Sequence, residues 1–190
     1  MIIPETKVND VRIQHFEVSE SESALSYISY KGCGIPPGKY VRLFVGETLM
    51  MSNTPEEIRS NMSFIALATG DVLVAGLGLG VILHKPLERE DVKSILVIEK
   101  SQDVIDAVLP HIRHPKLEVV CADIFDWKPP KGKKWDTIYF DIWPDICYDN
   151  LKEVTKLKRK FARRLRRDNP RAWMAAWQED YLRYIERKGI

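Results

Sequence analysis

The rhythm of hydrophobic and polar positions changes once along this chain, near Gly70. Before that point VRIQHFEV, ALSYISY and KYVRLFV are rich in β-branched and aromatic residues. They are separated by glycines and prolines (KGCGIPPGK), a pattern that predicts extended structure. KYVRLFV and TLMMS, joined through Gly46 and Glu47, predict a β-hairpin. Thr54-Pro55-Glu56-Glu57 then predicts a helix start, with Thr54 as cap, Pro55 at the first helical position and Glu57 completing a capping box. That helix is expected to run to about Ala68.

Beyond Gly70 short apolar runs alternate with helical periodicity. DVLVAG, SILVIE, KLEVVCA and WDTIYFD predict four buried strands. GVILHKPL, disturbed by Pro86, and QDVIDAVLP, capped by Ser101, predict helices between them. Leu151, Val154, Leu157, Phe161 and Leu165 recur at helical spacing, so an amphipathic helix is expected to stop near Asp168-Asn169-Pro170. AWMAAW (Ala172–Trp177) contains helix-favouring alanine, but the alternation predicts a fifth strand, and YLRYIERK a last helix. Strands and helices in this order argue for an α/β fold with a parallel sheet covered by helices.

Composition narrows the class. With 190 residues, 45% of them hydrophobic, the chain can form one well-packed domain. No apolar run approaches the roughly 20 residues that cross a bilayer, and MIIPETKVND lacks the basic and apolar regions of a secretory leader. Cys33, Cys121 and Cys147 have no C-x-x-C spacing, which fits a reducing cytosol, predicts a cytoplasmic protein and gives no zinc signature. His111-x-x-His114, between Pro110 and Pro115, reads as a surface loop rather than a metal site.

The net charge of +2 conceals an asymmetry. From Leu151 to Arg171 there are 10 Lys/Arg against Glu153 and Asp168, a local balance of +8. This is first the solvated face of an amphipathic helix, and second a footprint for an anionic partner such as nucleic acid, through Lys158–Arg167.

In an open parallel sheet, ligands bind beyond the carboxyl ends of the strands. The predicted strands end in Gly76-x-Gly78-x-Gly80, Glu99, Asp123 and Asp141 in turn. Glycines let a ligand approach the backbone closely. A carboxylate at the end of the second strand can accept both ribose hydroxyls. Asp123 can accept from an adenine amine, and Asp141 faces the reacting end. Each has a plainer reading: glycines for strand–helix packing, Glu99 and Lys100 as a surface pair, Asp123 as a turn cap. Together, at four successive strand ends, they point to a nucleotide site. A dinucleotide is disfavoured because Val81 stands where G-x-G-x-x-G requires glycine, and no phosphate-binding G-x-x-x-x-G-K-[ST] exists.

From about Tyr40 to Asp145 these residues resemble the class I S-adenosylmethionine-dependent methyltransferases, and most closely their spermidine-synthase-like branch. Val72–Gly80 matches that branch's V-L-V-x-G-x-G-x-G, the preceding hairpin and helix are in place, and VIEKSQDVI resembles its ribose-acid context. Ala122-Asp123 resembles its G-D motif, and Asp141-Ile-Trp-Pro-Asp145 lies where its catalytic D-S-S-D-P lies. The resemblance implies a Rossmann-like domain over residues 55–190, truncated at its C-terminus, preceded by a small β-hairpin region over residues 1–54. It implies S-adenosylmethionine as cofactor, held by Gly76, Leu77, Gly78, Gly80, Glu99, Lys100, Asp123, Ile124 and Asp141, with Asp141 also catalytic.

The departures are on the amine side. The aspartate that holds the donor's amine in aminopropyltransferases is Leu79 here, the hairpin glutamine is replaced within Leu49-Met50-Met51, and the Tyr-His/Gln-Glu group near Ile58-Arg59-Ser60 is missing. Methyl transfer to an N or O nucleophile, a small molecule or a nucleobase stacked on Trp143-Pro144, is therefore the expected activity. The alternatives are aminopropyl transfer with an altered amine pocket, and an adenosyl-binding module without catalysis that contacts nucleic acid. An exposed sheet edge predicts a homodimer.

Overall fold

The computed structural model describes residues 3–29 and 34–189; Cys33, with Tyr30, Lys31 and Gly32, lies outside them. Strands β1 (Thr6–Val8), β2 (Val11–Val18), β3 (Gly38–Val45) and β4 (Thr48–Ser52) form an antiparallel sheet in that order. The N-terminal region is thus a four-stranded meander, larger than a hairpin. The hairpin itself is present, with Val45 paired to Thr48 across Gly46-Glu47. Strand alternation puts Val11, Ile13, Val41 and Leu43 in the core. On the opposite face Arg42 stacks over Phe16 and Phe44, at 5.3 and 5.1 Å from the ring centres.

ALSYIS (24–29) is helical rather than extended: Glu20–Ser29 form α1. The cause is a capping box at Ser19. Its hydroxyl accepts the Glu22 N–H at 3.3 Å, while the Glu22 carboxylate accepts the Ser19 N–H at 2.8 Å. The helix expected from Thr54 is also altered. It is split into α2 (Pro55–Ser60) and α3 (Met62–Leu67) at Asn61, a buried residue whose side-chain oxygen accepts the Tyr139 hydroxyl at 2.8 Å. Thr54 makes no side-chain cap; its hydroxyl pairs with that of Ser52 instead.

The second sheet holds β5 (Gly70–Ala75), β6 (Val92–Glu99), β7 (Leu117–Cys121), β8 (Thr137–Phe140) and β9 (Trp173–Ala176). Its order is β7-β6-β5-β8-β9 and every pairing is parallel, which makes the fold Rossmann-like, with the expected fifth strand at 173–176. The connecting helices are α4 (His84–Glu88), α5 (Gln102–Val108), α6 (Tyr148–Phe161) and α7 (Glu179–Lys188). Ser101 caps α5 as predicted, accepting the Val104 N–H. Along β5, Val72 and Val74 enter the core shared with the N-terminal sheet, while Leu73 and Ala75 enter the core under α6. Leu151, Val154, Leu157 and Phe161 of α6 are buried, as their spacing requires. Among the described residues no helix is long and apolar enough to cross a membrane.

Helix α6 stops at Phe161 rather than near Asp168. The chain beyond it pairs with the segment before β8: Trp135 N–H donates to Arg164 O at 2.9 Å, and Arg166 N–H to Trp135 O at 2.8 Å. This brings the Arg166 guanidinium to Asp71 and Asp136, both at 2.9 Å, at the starts of β5 and β8. Asp136 is buried and also accepts from Asn169 and from the Asp71 N–H. Removing the cation leaves a buried carboxylate undercompensated. Arg166→Met should therefore lower unfolding stability by about 1–3 kcal/mol. Urea titration should show the midpoint falling with an unchanged slope; a midpoint equal to the parent's would refute this role.

Candidate functional site

Strand β5 lies between β6 and β8, and the connections leaving β5 (through α4) and β8 (through α6) run to opposite faces of the sheet, which opens a crevice beyond their carboxyl ends. There the structure has a cavity of about 390 Å³, within the range of small-ligand sites. Its floor is the turn after β5. Its walls come from the ends of β6, β7 and β8, and its roof from Leu43, Val45, Met50 and Met51 of the β3–β4 hairpin.

Gly76, Leu77 and Gly78 line this cavity. Gly76 has φ of +97°, and a Cβ there would overlap the backbone oxygen of Asp141. At Gly78 (φ +50°) a Cβ would strike the sulfur of Met51, which reaches down from the roof. Gly76 is required for shape as well as for backbone conformation, whereas Gly78 is required for its positive φ, since the Met51 side chain can give way. Gly80 is different. It lies outside the cavity lining, and a side chain there would press on Ile112, so its role is packing.

Glu99, at the end of β6, is held on both oxygens. Oε2 accepts the Leu77 N–H and Oε1 the Ser101 N–H, each at 2.8 Å. A carboxylate oxygen has two lone pairs, so one on each oxygen remains for a ligand. Asp123 Oδ1 accepts the Phe125 N–H at 2.8 Å, and its Oδ2 lies 2.8 Å from Lys100 Nζ. Lys100 and the Phe125 amide hold the Asp123 carboxyl below its usual range, and Asp123 in turn raises Lys100. Lys100 is thus a partner of Asp123, not of Glu99. Ile124, Phe125, Ile142 and Trp143 complete an apolar wall, and the Trp143 indole donates to Glu153 at 2.6 Å.

Asp141 lines the opposite end of the cavity together with Glu57 of α2. Burial, and then the charge on Glu57, push the Asp141 carboxyl up to about 7. Burial also raises Glu57, against a smaller opposing pull from the Ser52 backbone. Tyr139, buried beneath and stacked on Phe64, is raised by burial and by Asp141. Of the residues that line this end, sequence reasoning singled out Asp141 alone. Glu57 was assigned to a helix cap, and Met50 and Met51 were noted only as replacing a glutamine. The signal for all three was the hairpin and helix lying immediately before the glycine motif.

Other expectations fall away from the cavity. His111 ends a 3₁₀ turn, and His114 Nδ1 accepts the Lys116 N–H. In the basic segment Lys158 pairs with Glu179, Arg166 with Asp71 and Asp136, and Arg164 donates to Pro130 O. Lys158–Arg167 is therefore neither one helix nor one free basic face.

No family model matches the sequence, and a search of curated proteins finds no match. Solved structures do resemble it. Its structural neighbours are methyltransferases and spermidine synthases. They include the spermidine synthase of Thermotoga maritima, with 20% identity over 72% of this chain and 46% of that one and a TM-score of 0.44. The CcbJ methyltransferase of Streptomyces caelestis has 16% identity over 63% and 48%, with a TM-score of 0.48. The plantazolicin methyltransferase BpumL, in complex with SAH, has 17% identity over 56% and 38%, with a TM-score of 0.41. The chain spans less than half the length of each, and likeness at this level concerns the fold alone.

The raised Asp141 carboxyl has a consequence for stability. Its folded-state value, about 7, lies above its ordinary 3.8, so between these limits the folded chain binds more protons than the unfolded one. The contribution of Asp141 is present below pH 3.8 and is lost as pH rises through about 7. Asp141→Asn removes that loss. Above pH 7 the variant should be more stable than the parent by about 1–4 kcal/mol, with the two converging near pH 4. Denaturant titrations across this range would show parallel curves if Asp141 titrated normally.

Proposed function

We propose that this chain is an S-adenosylmethionine-dependent methyltransferase of the spermidine-synthase-like branch, acting on a nitrogen or oxygen nucleophile. The observation that carries the reading is Glu99. Its two oxygens are each fixed by one backbone amide and each keep a lone pair at the cavity, a match to the paired hydroxyls of a ribose. Gly76, Leu77 and Gly78 give the close backbone approach such a ligand needs, and Ile124 with Asp123 offers an apolar slot ended by a carboxylate. A sulfonium donor supplies a methyl carbon already activated by its positive sulfur. The chain's own residues need only align the nucleophile, exclude water and accept a proton. Asp141, whose carboxyl is pushed up to about 7 by burial and secondarily by Glu57, suits that last role.

Aminopropyl transfer is the weaker reading because Leu79 is buried in the core and offers no carboxylate to a donor's amine. A non-catalytic module would leave the half-buried Glu57–Asp141 pair without a use. The outer edge of β9 pairs with no strand among the described residues, and we propose that it supports a homodimer. Light scattering that finds only monomer at working concentration would count against it.

Calorimetry tests the donor site. S-adenosylmethionine and S-adenosylhomocysteine should bind, NAD should not, and Glu99→Gln should weaken both by about 10–100-fold. Asp141→Asn should leave donor affinity within about threefold while turnover on an acceptor collapses. Failure of both sulfur compounds to bind would overturn the proposal.

A further inference from the structure

Beside the cavity, lysines gather on the seam between α6 and the segment that leaves β7. Lys152, Lys156 and Lys160 stand four residues apart and so share one face of α6. Lys156 Nζ lies 5.2 Å from the centre of the Phe125 ring, and Lys160 Nζ donates to the carbonyl oxygens of Ile124 and Phe125 at 2.9 and 2.7 Å. Ile124 and Phe125 are cavity wall. The line of lysines therefore begins at the mouth of the site. It continues onto the loop after Phe125, where Lys128 and Lys131 are exposed.

The acids bordering this seam are already engaged or few. Asp149 is paired with Lys152, Asp123 with Lys100, and Glu153 accepts the Trp143 indole, leaving Asp126 exposed on the loop. Burial lowers Lys160; Asp126 and Asp123 oppose this, whereas Lys156 and Lys128 add to it. The lysines thus repel one another across a short distance, and an anion laid along them would relieve that repulsion. At the mouth the track meets Phe125 and Trp143, two aromatic side chains lining the cavity. A backbone-tracking positive line that ends in aromatic faces is the arrangement that holds single strands, with phosphates on the cations and bases on the rings.

We propose that Lys156, Lys160, Lys128 and Lys131 form a track past Phe125 for single-stranded nucleic acid, whose base at the cavity mouth stacks on Trp143, two residues from Asp141, and is the acceptor. The last clause of this inference rests on the donor-site reading; the track itself does not. A duplex keeps its bases stacked inside and cannot offer one to the mouth without flipping it out. The preference is therefore for single strands, and of the 158–167 segment only Lys160 belongs to this seam.

Fluorescence anisotropy with a labelled single strand of about 16 nucleotides tests it, alongside the matching duplex and an abasic strand of equal length. The single strand should bind the full chain most tightly, with affinity falling steeply between about 50 and 200 mM salt. The abasic strand should bind at least about tenfold more weakly, because stacking is lost. Lys128→Glu with Lys131→Glu, on the exposed loop, should weaken binding at least about tenfold and make the salt slope shallower by about 1.4. S-adenosylhomocysteine affinity of that variant, measured by calorimetry, should stay unchanged. Equal binding of the abasic strand or tighter binding of the duplex would overturn the proposal, as would a double variant that binds like the parent. Oligonucleotide binding without any S-adenosylhomocysteine binding would sink the donor-site reading and leave the track standing.

Discussion

The geometry of the site depends on how closely the ends of β5 and β8 approach, and Gly76 sets that approach. A side chain there would occupy the position of the Asp141 carbonyl. Without one, the Asp141 N–H reaches the Ala75 carbonyl at 2.8 Å, and the Gly76 N–H reaches the Ile98 carbonyl at 2.9 Å. Three adjacent strands are thus joined at their last residues. Glu99, Gly76 and Asp141 consequently share one rim although they are far apart in sequence. At the other end of β5 and β8, Arg166 ties Asp71 to Asp136, so the two strands are fixed at both ends.

The roof belongs to a different sheet, yet it shares the floor's core. Val11, Ile13, Val41 and Leu43 pack in one apolar cluster with Val72, Val74, Val97 and the buried side of α5. Burial of that size resists hinge motion between the sheets, because separating them would expose apolar area at roughly 25 cal/mol per Å². Met51 continues the contact into the cavity. Its sulfur lies against Gly78 and accepts the Leu79 N–H at 3.0 Å. A flexible thioether suits this position, since it can shift when a ligand enters where a branched side chain would not.

Much of this was legible in the sequence, because periodicity reports burial directly. The five strands of the parallel sheet, the hairpin and the buried face of α6 follow from alternating or helical spacing of apolar residues. The carboxyl-end rule then gathers Gly76, Glu99, Asp123 and Asp141 without knowledge of any contact. The failures share a cause. Helix α1 is decided by Ser19 and Glu22, two polar residues, against β-branched and aromatic neighbours whose side chains suit a strand. The break at Asn61 comes from a hydroxyl 78 positions away, and the early end of α6 from a backbone pairing with Trp135. Each is a hydrogen bond that wins over local preference. The Ser19-x-x-Glu22 box carries a local signature that competes with the apolar pattern, whereas the distant partners of Asn61 and Arg164 leave no periodic trace. Glu57 was hidden for a related reason: its spacing from Thr54 fits a cap, and only the fold turns it toward Asp141.

The two ends of the cavity differ in how their acids are balanced. Asp123 is paired with a lysine that holds its carboxyl below the usual range, and Glu99 accepts a backbone amide on each oxygen. Glu57 and Asp141 lie at the other end and, among the described residues, form no salt bridge. Two carboxyls that desolvate and repel each other do not ionise together easily. Near neutrality this end can hold a proton on one group while the other accepts one. Under the proposed function, an aligned nucleophile sheds a proton as it attacks, and such a pair would meet that requirement better than either acid alone. The asymmetry has a structural origin: Asp123 has Lys100 within reach from the end of β6, whereas Asp141 is bordered by the apolar Met50 and Met51 of the roof and by the acid Glu57.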